Sequence, residues 1–447
     1  MTPPGPGGGP VVAAVDFGAT SIRVATVDLG RRPLEPVIVH RHRHGPVRHG
    51  DGSLRWDWDR LVLEARRGLG LAAEAAPLAS IGIATWGLDY GLLDAEGRLV
   101  APPHSYRDER TERWGETADR IGRRRLYDVT GIQLMAGNTV FQLAAHDRGE
   151  LERTQHVLML PELLIHDLCG VVRAERTSAG TTALVDLASG TWSAELIGAI
   201  GADPDWFPVI GHAGECAGRW NGIPVTTVGG HDTASAVLAM GPDPAPDAAF
   251  LSAGTWFLVG REAEGARTDD GCFSRNLSNE PGIYGGVRLL ANVPGMWLLE
   301  ECRRTWAASS VEALLAGSES VGAREFDVAD PSLVAPADMP VAVRRLAGLP
   351  PDVAPAVVIG SIVESLAGGV AEAVDRLGVA GPVGELVVFG GASRATSLME
   401  RIGERCGLPV RTGPAEATVL GNALAQGLGL GVFDGVPAAR RALGPPD

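Results

Sequence analysis

The sequence predicts an α/β protein of two domains, and three observations carry that expectation. The chain has 447 residues, more than one hydrophobic core usually serves. Apolar residues make up 45% of it, enough to build two cores. Two apolar hairpins, one near the start and one past the middle, have turns that carry Gly and Thr.

The first hairpin runs Val11–Asp16, turn, Ile22–Asp28. Trp56–Ala75 has helical spacing, and Ser80–Thr85 reads as a short buried strand continued by Asp89–Leu93. Helices are expected over Thr111–Leu126, Thr139–His146 and Leu160–Leu168. Ile223–Val228 is a further strand, leading through Gly229 and Gly230 into a helix near His231. Gly241–Asp247 is rich in Pro and Asp and marks a boundary. The expected division is a flexible leader over 1–10, an N-terminal domain over 11–243 and a C-terminal domain over 244–440. The second hairpin, Ala249–Gly260, opens the latter. An amphipathic helix over Pro355–Gly378, a strand at Glu385–Phe389, a helix at Thr396–Cys406, a strand at Leu408–Arg411 and a helix at Ala417–Leu428 complete it.

Charge and composition exclude several classes. The net charge is −15 and the pI near 5.2, which argues against nucleic acid or an anionic membrane as partner. All 39 basic residues are Arg; lysine is absent, so no lysine can hold a phosphate or form a Schiff base. Cys169, Cys216, Cys272, Cys302 and Cys406 show no CxxC pairing, as expected of reduced cytoplasmic thiols. No signal peptide and no membrane-crossing helix are expected.

Five places could carry chemistry. The turn after Asp16 presents backbone N–H groups with the Thr20 and Ser21 hydroxyls and Arg23 nearby, the makings of an anion nest. Asp16 itself is placed to hold a hydrated Mg²⁺; it is equally an ordinary turn Asp. His231, Asp232 and Thr233 open a helix, whose N-terminus attracts anions. Asp232 there can accept a proton from a hydroxyl; taken alone, it is more simply an N-cap. Thr255 in the second hairpin is a second phosphate clamp or a plain turn. Gly390 and Gly391 lie between strand and helix and let a flat ligand such as adenine approach, or merely pack tightly. Trp86 with Asp89, and Asn292 near Trp297, could line a sugar pocket; Trp is more often a core residue.

The order of these segments resembles the FGGY family of carbohydrate kinases, and within it most of all the rhamnulokinase branch. The matching stretches are AVDFGATSIRV, WGLDYGLLD, SYRDERT, VTGIQLMAGNTVFQL, TSAGTTALVDL, GGHDTASAV, LSAGTWFLVG, ANVPGMWLLEE, FGGAS and GPAEATVLGNALAQ, spanning residues 14 to 426. The resemblance implies two ribonuclease-H-like domains of the actin and sugar-kinase superfamily flanking a catalytic cleft. It implies Mg-ATP as phosphoryl donor and a small sugar as acceptor, in a cytoplasmic monomer or homodimer.

By motif match Asp232 becomes the catalytic base, with His231, Thr233, Gly87 and Asn292 at the sugar. Ala19, Thr20, Ser21, Ile22, Arg23, Thr255, Glu300 and Gly391 become contacts to ATP, and Asp16 the metal ligand. The implied reaction phosphorylates the terminal hydroxyl of a ketose, L-rhamnulose to L-rhamnulose 1-phosphate. Two positions depart from the family's pattern: Ala84 stands where Asp is usual, and Glu300 where Gln is expected. The loss of a carboxylate near Trp86 leaves L-fuculose, D-xylulose or a related deoxyketose open as substrate. A non-catalytic ATP-binding sensor of the same fold is the alternative from another class.

Overall fold

In the computed structural model, β1 (Val11–Gly18) and β2 (Ser21–Asp28) form an antiparallel hairpin paired from Val11 with Asp28 to Gly18 with Ser21. The structure describes residues 8–318, 320–333 and 336–444, so most of the expected leader, 1–7, lies outside the described residues. Val12 to Phe17 are all buried, as a central strand covered on both faces demands. β3 (Pro36–Arg43) pairs antiparallel with β2, and β4 (Leu78–Thr85) pairs parallel with β1. With β5 (Cys216–Trp220) and β6 (Ile223–Thr226) the six-stranded sheet has the order β5-β6-β4-β1-β2-β3.

Helices cover this sheet. Helix α1 (Trp58–Ala75) is capped by Asp57, whose side chain accepts the Arg60 N–H. Next come α2 (Leu160–Cys169) and α3 (Asp232–Leu238).

In the other sheet, β7 (Ala248–Ala253) and β8 (Trp256–Ala263) make the second antiparallel hairpin. With β9 (Val287–Pro294), β10 (Glu385–Phe389) and β11 (Val410–Thr412) the strands lie in the order β9-β8-β7-β10-β11. β10 pairs parallel with β7, and β11 parallel with β10. Helices α4 (Trp297–Thr305), α5 (Pro355–Leu377) and α6 (Thr396–Cys406) follow, and α7 (Ala417–Gly429) returns to the first sheet. There α7 donates from Asn422 Nδ2 to Val15 O and from Gln426 Nε2 to Ala13 O, on β1. A Cβ at Gly421 would overlap the Ser235 backbone, so this glycine lets α7 lie directly on α3.

The units defined by contact are not two contiguous halves. Among the described residues, the first comprises 8–243, 263–288 and 416–444; the second comprises 244–262 and those described between 289 and 415. Segments 263–288 and 416–440, expected with the C-terminal domain, therefore pack with the first unit. Asn279 explains the first case: its backbone N–H and Nδ2 both donate to Gly131 O, and Tyr127 Oη donates to Leu277 O.

Three other expectations change. Tyr90–Leu93 does not continue β4; it pairs antiparallel with His156–Met159, because Leu88 turns the chain at φ 78°. The helix expected over 111–126 is broken at Gly122 (φ 95°) into Trp114–Ile121 and Arg123–Thr130. Helix α5 is buried around most of its circumference rather than amphipathic. Residues Pro355–Ala380 have the length and mean hydropathy (1.6) of a membrane span, yet 78% of that window is buried within the fold.

Candidate active site

In the first unit, four charged side chains gather at the end of β1. Arg23 Nη2 lies 3.0 Å from Asp16 Oδ2, and Arg23 Nη1 2.7 Å from Glu416 Oε2. Arg41 Nη2 reaches the other oxygen of Glu416 at 3.2 Å. Burial pushes Asp16 up to about 6. Arg23 opposes that rise, while the carboxylates Asp232 and Glu416 add to it. Asp232 and Asp16 are thus close enough to feel one another's charge.

Asp232 is the first residue of α3, and its Oδ1 accepts the N–H of Thr233 at 2.7 Å. It is not the helix cap; His231 holds that position, without a side-chain cap bond. Helix α3 has only seven residues, so its dipole is slight and the anion attraction expected there falls to side chains. The Asp232 side chain is 26% exposed, and burial raises its proton affinity against the pull of His231, Thr233 and Arg288. His231 stands between two acids: Nε2 is 3.5 Å from Asp232 Oδ1 and Nδ1 is 3.2 Å from Glu280 Oε2. Glu280 is buried, but Arg288 (3.0 Å) and His231 hold its carboxyl below the usual range. Neither Glu280 nor Arg288 is signalled by sequence; both come from the segment 263–288 that joined this unit.

The aromatic residues form a packed cluster. Trp86 and Trp56 lie 4.5 Å apart, and both indoles donate to Asp89 Oδ2, at 2.9 and 2.7 Å. Gln142 Nε2 holds Asp89 Oδ1 at 3.3 Å. Asp89 is fully buried and Trp86 nearly so. Buried there, Asp89 fixes the two indoles beside the place where the sequence reading sets a sugar pocket. Phe17 of the hairpin meets Trp86 edge-on at 5.6 Å. His44, also missed by sequence, packs on Phe17, Trp56 and Trp86, and burial pushes it down to about 4, so it is neutral. Gly87 is half-buried against Thr181.

Around the first turn, Thr20 is exposed and Ala19 and Ser21 half-buried, while Ile22 is fully buried and presents only backbone. Ala84, where the family pattern has Asp, is buried and pairs in register with Asp16. Side chains paired on adjacent strands share a face. A carboxylate at 84 would therefore stand beside Asp16, so its loss bears on the charge around Asp16 as well as on Trp86.

The donors at this turn, Asp16 with the Thr20 and Ser21 hydroxyls, are all oxygen, the set a hard dication takes. The mutual repulsion of Asp16, Asp232 and Glu416 is what such a cation would relieve. A second grouping, His104, His146 and Glu150, has metal-ligand chemistry, but two of its three members are already engaged. Tyr90 Oη and Glu150 occupy both nitrogens of His146, and Arg55 holds Glu150.

The second unit holds the remaining candidates. Thr255 sits in the β7–β8 turn, which is fastened by backbone bonds: Gly254 N–H to Trp256 O, Met296 N–H to Gly254 O and Trp297 N–H to Thr255 O. Asn292 is half-buried on β9. Gly390 follows β10 at φ 95°, and Gly391 has open space above its Cα. Glu300 on α4 is engaged: Arg303 holds both its oxygens at 2.7 to 2.9 Å.

The chain matches the FGGY family of carbohydrate kinases in both parts, the N-terminal domain over residues 11–239 and the C-terminal domain over 249–430. It is 36% identical over 428 residues to a rhamnulokinase of Enterobacter sp. (strain 638), covering 92% of this chain and 87% of that protein. It is 37% identical over 430 residues to a rhamnulokinase of Klebsiella pneumoniae (strain 342), with the same coverage. Among solved structures it is similar to a ligand-bound xylulose kinase from Lactobacillus acidophilus (TM-score 0.79, 15% identity, 98% of this chain and 92% of that one). It is also similar to the Plasmodium falciparum glycerol kinase with ADP (TM-score 0.76, 16% identity, 98% and 93%). These likenesses show the two-domain sugar-kinase fold.

Proposed function

This chain belongs to the FGGY family of carbohydrate kinases and is a carbohydrate kinase, and on that premise we propose that it phosphorylates the terminal hydroxyl of L-rhamnulose, with Asp232 as general base and Mg-ATP as donor. The observation that carries this reading is Asp232 itself. It is a carboxylate of raised proton affinity with part of its side chain open, held at a helix start beside a histidine. Such a group takes the proton of a hydroxyl as that oxygen attacks. The named function of the 36–37% identical relatives supports the choice of sugar.

The step is a balanced transfer. The sugar oxygen bonds to the γ-phosphorus, the bond from that phosphorus to the bridging oxygen breaks to leave ADP, and the hydroxyl proton passes to Asp232. A bound Mg²⁺ would supply positive charge to offset that of the phosphates. Asp16 and the Thr20 and Ser21 hydroxyls would hold it with its waters. Arg23 and the backbone of residues 19–22 face the same phosphates. His231, set by Glu280 and Arg288, keeps Asp232 in place. Thr255, Gly390 and Gly391 serve the nucleotide from the second unit, and Gly87 and Asn292 the sugar.

Sugar-dependent ADP release with Mg-ATP, over a panel of ketoses and polyols, tests this. Stimulation by L-rhamnulose that Asp232→Asn abolishes is the expected result. Stimulation by another ketose instead overturns the sugar and keeps the base. Turnover that no sugar stimulates, equal in the wild type and the variant, overturns the reading whole.

A further inference from the structure

Two acids with no cation partner among the described residues lie under the turn that leads into Asp232. Glu162 is on α2, and Glu175 begins the short helical turn Arg176–Ala179; each is 1% exposed. Every hydrogen-bond partner of their side chains among the described residues is neutral. Glu162 Oε1 accepts from Ser178 Oγ (2.6 Å) and from the Glu175 N–H (3.0 Å). Glu175 Oε2 accepts from Thr177 Oγ1 (2.6 Å), the Gly230 N–H (2.9 Å) and the Ser178 N–H (3.3 Å). Thr177 Oγ1 in turn accepts the His231 N–H at 3.1 Å. The two amides just before Asp232 are thereby tied to this pair. The turn lies so close that a Cβ on Gly230 would meet Glu175 Oε2 at 3.1 Å.

One oxygen of each acid, Glu162 Oε2 and Glu175 Oε1, has no hydrogen-bond partner. Two buried carboxylates joined through Ser178 and lacking a counter-ion would repel, and each orphan oxygen would go unsatisfied. A single proton removes the repulsion. Placed on Glu162, it leaves one buried charge in place of two and turns an orphan acceptor into a donor. Glu175 then keeps a charge supported by three donors.

We propose that Glu162 and Glu175 share one proton, and that the protonated pair is the positioning anchor of the Gly230–His231 turn and so of Asp232. Its link to catalysis rests on the reading of Asp232 as base. Burial pushes Glu162 up to about 8, and the charge of Glu175 adds to that against the Ser178 hydrogen bond. Burial raises Glu175 as well. Two further titratable groups stand nearby: Tyr284, whose hydroxyl feels Glu175 and stays protonated, and His231, whose backbone N–H is bonded to Thr177. Loss of the shared proton above about pH 8 leaves two facing charges and loosens the turn.

Two measurements on the full chain without substrates test this. Infrared spectroscopy of the wild type should show a protonated-carboxyl band at about pH 7 that is lost as pH passes about 8. That band should be missing in Glu162→Gln, whose amide stays neutral. No such band at neutral pH in the wild type overturns the shared proton, even where the variant fails to fold. Amide exchange over residues 229–235 reads the anchor. Above about pH 8 the wild type should exchange on the order of tenfold faster there than Glu162→Gln, with the two equal at about pH 7. Equal exchange at both pH values overturns the anchoring role. If Asp232→Asn leaves turnover unchanged, it is the base reading that fails, and the proton and exchange results still stand or fall alone.

Discussion

Each unit opens on an antiparallel hairpin with a parallel strand alongside, β1–β2 beside β4 and β7–β8 beside β10. The backbone plan is shared and the chemistry is not. Asp16, Arg23 and Glu416 are ion-paired at the first hairpin, within the field of Asp232. The turn of the second, Gly254–Thr255, has no charged residue and is fastened by main-chain bonds to itself and to residues 296 and 297. Repetition of a fold therefore does not repeat a function. On the proposed reading, the first hairpin serves charge that moves during the reaction and the second a fixed contact to the nucleotide.

The sharpest way to break this contrast is at Asp232. Asp232→Asn should lower kcat by about 10²- to 10⁴-fold, the usual worth of a general base, with the KM for ATP little changed. A loss under tenfold would remove the distinction between the turns. Next in size is a pH effect on the support of the first hairpin, where Phe17 rests on Trp86. Burial raises Asp89 to about 6 against the hydrogen bonds of Trp86, Trp56 and Gln142. The folded protein then holds a proton that the unfolded chain gives up near 3.8. Its stabilising effect is present below that value and is lost as pH rises to about 6, a change of about 3 kcal/mol. Denaturant melts of the wild type should fall relative to Asp89→Asn across that window and run parallel above it.

The hairpins were readable because strand, glycine turn and strand are adjacent in sequence, and the family resemblance followed from the order of such local pieces. Long-range partners were not readable. Glu416 reaches Arg23 from 393 residues away, and only the fold makes them neighbours. Glu280 and Arg288 lie on a segment that packs with the first unit through Asn279 and Tyr127, contacts with no sequence pattern. Backbone reversals at Leu88 and Gly122 also escaped notice, since helical and strand periodicity ran on through them. The partners of Asp89 were only half readable: Trp86 lies three residues away, but the second indole comes from Trp56.

The two smallest effects are expected in the second unit. Thr255→Ala removes a hydroxyl and leaves the main-chain bonds of the turn intact, so the KM for ATP should rise tenfold at most, about the worth of one hydrogen bond. A larger loss would mean that the second turn works through its side chain, as the first does.

Glu300→Gln should do less still. The carboxylate occupies the place of an expected Gln, yet Arg303 three residues on holds both its oxygens. An exposed pair of this kind is worth little, so losing its charge should cost less than about 1 kcal/mol in stability. Without a free oxygen to offer, Glu300 should change the KM for ATP by less than about twofold, since a hydrogen bond never made to a ligand cannot be lost. Steady-state kinetics decide the point. A rise in ATP affinity in the Gln variant would show that the Arg303 pair withholds a nucleotide contact, and would move this residue from the fixed side of the comparison to the adjustable one.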